Sequence, residues 1–384
     1  MKVLVVDNSR WWGGAEKNLQ TLVDNRSNAI EFNVLSDYPM SHNITYRDFC
    51  GVRYRFDNSY FIRYLDNKYQ IKGMRIFRLI YKSLYLIPSL VRYNPDIVHF
   101  NLYRSSDILD IIVCKILRKK VVLHIRSLAN RIKIAPLTIK LADAVICVSK
   151  SVKQGFSFTG NKYHVIYNGI DSKYYHLVPQ DQAREKLGIN LTSFVIGSIG
   201  NLEREKGHDV AVKALKKIID DGNVVVALII VGKDSTINES ETKRILTLSK
   251  DLGVQGHIKI FSISHKDIHY VYSACDIVLT LCIDGEAFGM IPLEAAMHNR
   301  PVIATNVGAC RETIIHNQTG LLCEPNSPVA LVQAIDTIMK DKKYCDQLTE
   351  SARNRVLHKY SADAYRDSVY KIYITITKEN KRKL

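Results

Sequence analysis

Two carboxylates, Glu286 and Glu294, stand eight residues apart in the segment Asp284-Gly-Glu-Ala-Phe-Gly-Met-Ile-Pro-Leu-Glu-Ala-Ala296. Ahead of them, Ala274-Cys-Asp-Ile-Val-Leu-Thr-Leu281 is the apolar, β-branched run of a buried parallel strand. Pro292 has a fixed φ and no N–H, so it belongs in the first turn of a helix that should begin near Gly289 or Met290. The amides from Ala287 through Phe288, Gly289 and Met290 to Ile291 would then include the unpaired donors of a helix start, where a diphosphate fits. Glu294, one turn in, can accept hydrogen bonds from a ribose diol, and Glu286 on the loop can reach hydroxyls on the far side of the diphosphate. That arrangement matches a nucleotide-sugar from end to end. The plainer alternative makes Glu286 a helix cap and Glu294 a surface residue.

Other candidates also follow predicted strands. Asn8-Ser-Arg-Trp-Trp-Gly-Gly-Ala-Glu-Lys17 comes after the first strand, and Gly13 with Gly14 would let the backbone approach a ligand, or would simply make a tight turn. Trp11 and Trp12 could cover the C–H face of a sugar or pack internally. Gly197-Ser-Ile-Gly-Asn-Leu-Glu-Arg-Glu-Lys-Gly207 carries Asn201, Arg204 and Lys206, the last a phosphate ligand or a solvated lysine. In Lys119-Lys-Val-Val-Leu-His-Ile-Arg-Ser127, His124 and Arg126 alternate with Ile125 and so leave a strand on one side. His124 reads equally as a buried structural histidine, and packing explains His99 and Ser149 as well as chemistry does.

These residues must be positioned by repeated strand–helix units. Strands are expected at 3–6, 96–100, 121–124 and 144–148, then at 194–199, 224–231, 258–261, 276–281 and 301–305. Each half then forms a doubly wound α/β domain on a parallel sheet. Asn168-Gly169 is a turn signal, and the polar stretch 171–190 should be an irregular hinge. The domains expected are 1–170 and 171–365, with 366–384 as a C-terminal segment, helical over 365–376 and frayed over 378–383. A cleft between the halves is the expected active site. Asn299, in the turn before Pro301, is the non-glycine residue that best tolerates a left-handed backbone.

With 384 residues and 46% hydrophobic content, the chain can bury the cores of two domains. The start, Met1-Lys-Val-Leu-Val-Val-Asp7, lacks the apolar stretch of a signal peptide, and no run of about eighteen apolar residues occurs, so a cytoplasmic setting is expected. The eight cysteines are scattered without a C-x-x-C pair and should behave as small core residues. A formal charge of +16 asks for an anionic partner: nucleic acid, lipid head groups or a phosphate-bearing substrate. Basic and aromatic residues interleave from Arg53 to Arg92, and Met74 to Ile87 reads as an amphipathic helix that could meet anionic lipid or pack on its own sheet. No aromatic-basic RNA motif appears, so nucleic acid is not an expected partner.

Taken together, these motifs resemble retaining glycosyltransferases of family 4. The resemblance continues through Asn94-Pro-Asp-Ile-Val-His99, Ala142-Asp-Ala-Val-Ile-Cys-Val-Ser149, Val165-Ile-Tyr-Asn-Gly-Ile-Asp171, Pro301-Val-Ile-Ala-Thr-Asn-Val-Gly308, Glu312 and Thr319-Gly-Leu-Leu322. It implies the GT-B fold, with two Rossmann-like domains facing across a cleft and a C-terminal helix crossing back to the first. It implies a retaining hexosyltransferase that takes a UDP- or GDP-sugar, needs no metal or other cofactor, and acts on a glycan or lipid-linked acceptor. No Asp-x-Asp pair occurs, so cationic side chains and helix dipoles would replace a metal. By this resemblance Gly13 and Gly14 lie against the donor diphosphate, and Lys206 holds it. Asn201 replaces the usual arginine, with Arg204 beside it as a substitute. Arg126 contacts the donor sugar with His124 in support, Glu286 orients sugar hydroxyls and Glu294 holds the ribose. Related enzymes dock on membranes, which implies a peripheral place at the inner face of a membrane. The rivals are a sugar-nucleotide epimerase or hydrolase on the same frame, and a membrane-docking binding protein that has lost turnover.

Overall fold

The computed structural model describes residues 1–7, 13–24, 29–36, 53–56, 74–222, 225–234, 240–263 and 267–381. The chain divides into two units, one of Met1–Gly169 with Ala362–Leu384 and one of Ile170–Ser361.

The first unit is built on β1 (Lys2–Asp7), β2 (Glu31–Ser36), β3 (Arg53–Phe56), β4 (Ile97–Phe100), β5 (Lys120–Ile125), β6 (Ala144–Cys147) and β7 (Tyr163–Val165). They form one parallel sheet in the order β3-β2-β1-β4-β5-β6-β7. Its central strands are buried on both faces, which is why they read as unbroken apolar runs. Leu19 and Leu22 of the helix Gly14–Val23 pack on Val3, Val5 and Val122, and Tyr365, Val369, Tyr373 and Ile376 of the C-terminal helix join the same core. That last helix runs over Ala362–Lys381, into the stretch expected to be frayed, and its apolar face continues to Ile376 within the core.

The second unit carries β8 (Phe194–Ile199), β9 (Val226–Val231), β10 (Ile258–Phe261), β11 (Ile277–Thr280), β12 (Val302–Thr305) and β13 (Leu321–Cys323), all parallel, in the order β10-β9-β8-β11-β12-β13. In both sheets the chain winds outward one way from its first strand and then returns to wind the other way. The reversal falls between β1 and β4 and between β8 and β11. Loops leaving the carboxyl ends of those strands diverge there and leave room for a ligand.

Two local expectations need correction. The polar stretch 171–190 contains a helix, Gln180–Lys186, because its polar Arg184 is buried and serves the fold. Arg184 donates to Asp276 at 2.7 Å and to the carbonyls of Ala274 and Leu191 at 3.1 and 2.6 Å. The helix read over 74–87 extends over Met74–Tyr93 with Pro88 inside it. Among its described side chains Ile80, Leu84 and Val91 are 47, 58 and 62% exposed and Arg92 is exposed beside them, while the side chains of Arg75, Arg78 and Lys82 lie outside the described residues. The basic and aromatic residues expected between 57 and 73 lie outside the described residues, as does Cys50. The described cysteines are free, and all but Cys345 are buried. Asn299 has φ 55°.

Candidate active site

At the reversal point of the second unit, β8 leads into the loop that ends in Lys206-Gly207. His208, the first residue of the helix His208–Asp220, is buried beneath this loop. A carbonyl can only accept, so His208 Nε2–H donates to Asn201 O at 3.1 Å, and the Ser198 hydroxyl donates to Nδ1 at 2.8 Å. Burial lowers the pKa of His208, consistent with this neutral tautomer. Gly207 has φ 67°, and a Cβ there would lie 2.2 Å from the Leu281 carbonyl, so only glycine allows the loop to meet the chain leaving β11. The contact continues as Ile283 N–H donates to Glu205 O at 2.9 Å.

Across this seam Lys206 Nζ meets Glu286 Oε2 at 2.8 Å, with each side chain 18% exposed. The Cys282 thiol donates to the same oxygen at 3.2 Å, and Lys206 Nζ lies 3.8 Å from its sulfur. Burial, then the nearby Glu286 carboxylate, pushes the Cys282 thiol up to about 12, so it stays a donor. Gly308, at φ 49°, lets the next loop press on the Glu286 backbone, and its neighbour Ala309 donates to Glu286 O at 2.9 Å. Lys206 and Glu286, read as separate candidates, therefore form one contact, while Asn201 and Arg204 stand exposed on the same loop.

The helix after Glu286 runs over Ile291–Met297 with Pro292 in its first turn. Gly289 has φ 79° and Met290 is the cap. Phe288 is buried and meets the Tyr360 ring edge-on at 5.9 Å, so its side chain belongs to the core. Glu294 is also buried, at 4% exposure, and its Oε2 accepts from the Tyr272 hydroxyl at 2.7 Å. It is not the surface residue of the plainer alternative.

In the first unit the Gly13 amide donates to Glu16 Oε2 at 2.6 Å. The glutamate three residues on folds back as a helix cap onto the amide that the resemblance places against a diphosphate. Gly14 opens the helix and is exposed, while Trp11 and Trp12 lie outside the described residues. Arg126 is likewise engaged within its unit. Nε donates to Asn101 O at 2.8 Å, Nη1 to Asn168 Oδ1 at 2.7 Å, and Nη2 to Asn101 Oδ1 at 2.9 Å and to Tyr365 OH at 3.2 Å. The side chain ties the carboxyl ends of several strands together, contacts that its reading as a donor-sugar ligand did not include.

Arg126 Nη2 also donates to His124 Nδ1 at 3.2 Å, which puts the His124 proton on Nε2. His99 Nε2 faces the same Nδ1 at 3.3 Å, and the Tyr373 hydroxyl pairs with His99 Nδ1. Burial, with Arg126 adding its charge, lowers the pKa of His99 to about 3 and drives that of His124 well down. Both rings are neutral. Ser149 Oγ accepts from Val152 N–H at 3.0 Å and caps the helix Lys150–Gly155. Residue patterns did not single out Cys282, His208, Tyr272 or Tyr175, since each looks like core or loop. The one available signal was a thiol four residues ahead of Glu286.

The family model for glycosyl transferases group 1 matches residues 179–355, and that for glycosyltransferase family 4 matches residues 53–174. An uncharacterized glycosyltransferase of Methanocaldococcus jannaschii is 26% identical over 238 residues, 60% of this chain and 59% of the relative. N-acetyl-alpha-D-glucosaminyl L-malate synthase of Bacillus anthracis is 26% identical over 258 residues, covering 66% of this chain and 65% of the relative. The chain thus spans roughly half to two thirds of the length of the curated relatives it matches. Among solved structures, Anabaena HepE in complex with UDP-glucose superposes with a TM-score of 0.79 at 20% identity, over 98% of this chain and 100% of that one. At that identity the likeness is one of fold.

Proposed function

The chain belongs to the group 1 glycosyl transferases of family 4 and has their GT-B fold, and on that premise we propose that it moves a sugar from a nucleoside diphosphate to a hydroxyl, with retention at the anomeric carbon. The observation that carries this reading is the Lys206–Glu286 contact at the point where the second sheet reverses its winding. Negative charge gathers on the diphosphate as the glycosidic bond breaks, and a fixed ammonium there stabilises it without reorganising. Lys206, with Arg204 on the same loop, supplies that charge without a metal. Glu286 then receives donor-sugar hydroxyls, and Glu294, eight residues on, meets the ribose. UDP-glucose bound to a protein of the same fold supports UDP-sugars as the first donors to try, ahead of GDP-sugars. A lipid-linked or cell-surface polysaccharide intermediate is the acceptor class. The aliphatic stripe of Ile80, Leu84 and Val91, with exposed Arg92 beside it, supports docking on an anionic membrane surface. No described helix is long and apolar enough to cross a membrane.

The test is turnover with UDP- and GDP-sugars, with and without anionic liposomes, reading the anomeric configuration of the product by NMR. One donor class should turn over with retention, and Lys206→Met should lose on the order of a hundredfold. Absence of turnover with every donor, or an inverted product, refutes the reading.

A further inference from the structure

Glu294 is covered by a specific set of groups. The Tyr272 hydroxyl donates to its Oε2 at 2.7 Å, and the Tyr175 side chain makes a second hydrogen bond to the same carboxylate. The two phenols come from unlike surroundings. Tyr272 is fully buried in the helix Ile268–Ala274, within the core cluster that includes Ala295. Tyr175 follows the short turn Ser172–Tyr174, is half-buried and belongs to no helix or strand. His298 completes the cluster, stacked on Tyr272 at 4.8 Å and edge-on to Tyr175 at 5.7 Å between ring centroids. Its Nδ1–H donates to the Glu294 carbonyl at 2.7 Å, so the neutral ring keeps a lone pair on Nε2, buried and unpartnered. Two phenol donors therefore face the carboxylate, and one acceptor beside them is unfilled.

A ribose diol offers the same chemistry as these phenols, an O–H that donates to a carboxylate. We propose that the Tyr175 hydroxyl is a placeholder for a ribose hydroxyl on Glu294, occupying the carboxylate in the free protein and yielding it to the nucleotide, while Tyr272 stays and holds the carboxylate in place. This rests on the donor-site reading and adds a specificity determinant to it. Tyr175 is the phenol that can leave, because its backbone lies outside every helix and strand, whereas that of Tyr272 is fixed in a buried helix. Binding then exchanges one hydrogen bond for another. A ligand lacking the ribose hydroxyls would uncover the carboxylate without replacing the lost donor, so the exchange favours ribonucleotides.

Tyr175→Phe keeps the ring and removes the placeholder. Calorimetric titration of the full chain with UDP and with GDP should show the variant binding roughly tenfold tighter than wild type, the worth of one hydrogen bond no longer broken. Its thermal stability without nucleotide should fall slightly, and its nucleotide-induced thermal shift should grow. Tyr272→Phe should move affinity the opposite way, roughly tenfold weaker, because it unfastens Glu294 in both states. A purely structural role would weaken binding in both variants. Unchanged or weaker binding in Tyr175→Phe, with Glu294→Gln still impaired, overturns the placeholder and leaves the donor site standing. Failure of both nucleotides to bind wild type or any variant overturns the donor site and the placeholder with it.

Discussion

Glu286→Gln removes a charge with almost no change in volume, and its expected effects have opposite signs on binding and turnover. In the free protein Glu286 Oε2 lies 2.8 Å from Lys206 Nζ, with both side chains four fifths covered at 18% exposure. A phosphate oxygen meeting the same ammonium from its other side would sit about 5–6 Å from the carboxylate, and at an effective dielectric near 20 that repulsion is about 3 kcal/mol per unit charge. Solvent screening at the partly open site leaves on the order of 1–2 kcal/mol, so the variant should bind UDP about tenfold tighter. Turnover should fall on the order of a hundredfold, because an amide accepts sugar hydroxyls far less strongly than a carboxylate. Losing the partner of a partly buried ammonium should also cost about 1–3 kcal/mol of stability. Calorimetry with UDP at low and high salt, beside steady-state turnover, separates the three effects. Loss of stability with UDP affinity and turnover unchanged would make the pair purely structural and refute the reasoning.

The buried histidines predict acid sensitivity. Above about pH 6.5 His99 is neutral in both states; as pH falls from there towards about 3, the unfolded chain takes up a proton that the folded one refuses. Stability should drop by about 2 kcal/mol between neutral pH and about pH 5 on this account. Urea denaturation at the two pH values should show a flatter dependence in His99→Gln, and an equal slope in both proteins argues against it. Gly308→Ala places a Cβ 2.5 Å from the Glu286 carbonyl at a left-handed φ of 49°. It should cost about 2 kcal/mol or more in thermal unfolding and reduce turnover by shifting Glu286, whereas a wild-type melting point would contradict the close approach. Leu84→Glu puts a charge into the exposed aliphatic stripe; co-sedimentation with phosphatidylserine vesicles should fall several-fold, and undiminished binding would place the membrane contact elsewhere.

The legible strands were those buried on both faces. β1, β4, β5, β6, β8, β9, β11 and β12 are mostly apolar and β-branched, and Ile258–Phe261 alternates cleanly enough to read. β2 is interrupted by Glu31 and Asn33, β3 by Arg53 and Arg55, and β7 and β13 have three residues each, too few for any period to show. The helix Gln180–Lys186 was hidden for a related reason, since composition marks Arg184 as solvent-facing and only the fold supplies Asp276 and two carbonyls to bury it.

The site divides along the same line. Lys206 and Glu286 could be named because each follows a readable strand, yet the contact between them spans 80 positions, and neither segment carries a mark of the other. Position on a strand sets the direction in which a side chain leaves, not the group it meets. Arg126 reads as ligand-facing, and nothing in its own segment marks the bonds to Asn101, Asn168 and Tyr365, the last 239 residues away. Gly13 differs, because a glutamate three residues after a helix cap is itself the local signal of a capping bond, one that reading the glycine as a ligand contact passed over. Glu294 is the opposite case. A carboxylate one turn into a helix suggests a diol, but the phenols of Tyr272 and Tyr175 lie in segments that read as core and as hinge, and a hydroxyl at the tip of a ring has no periodicity of its own. Polar partnerships that close within one turn are thus readable from spacing, whereas those joining different strands' ends depend on the winding order of the sheet, and in this chain the groups assigned to chemistry are mostly of the second kind.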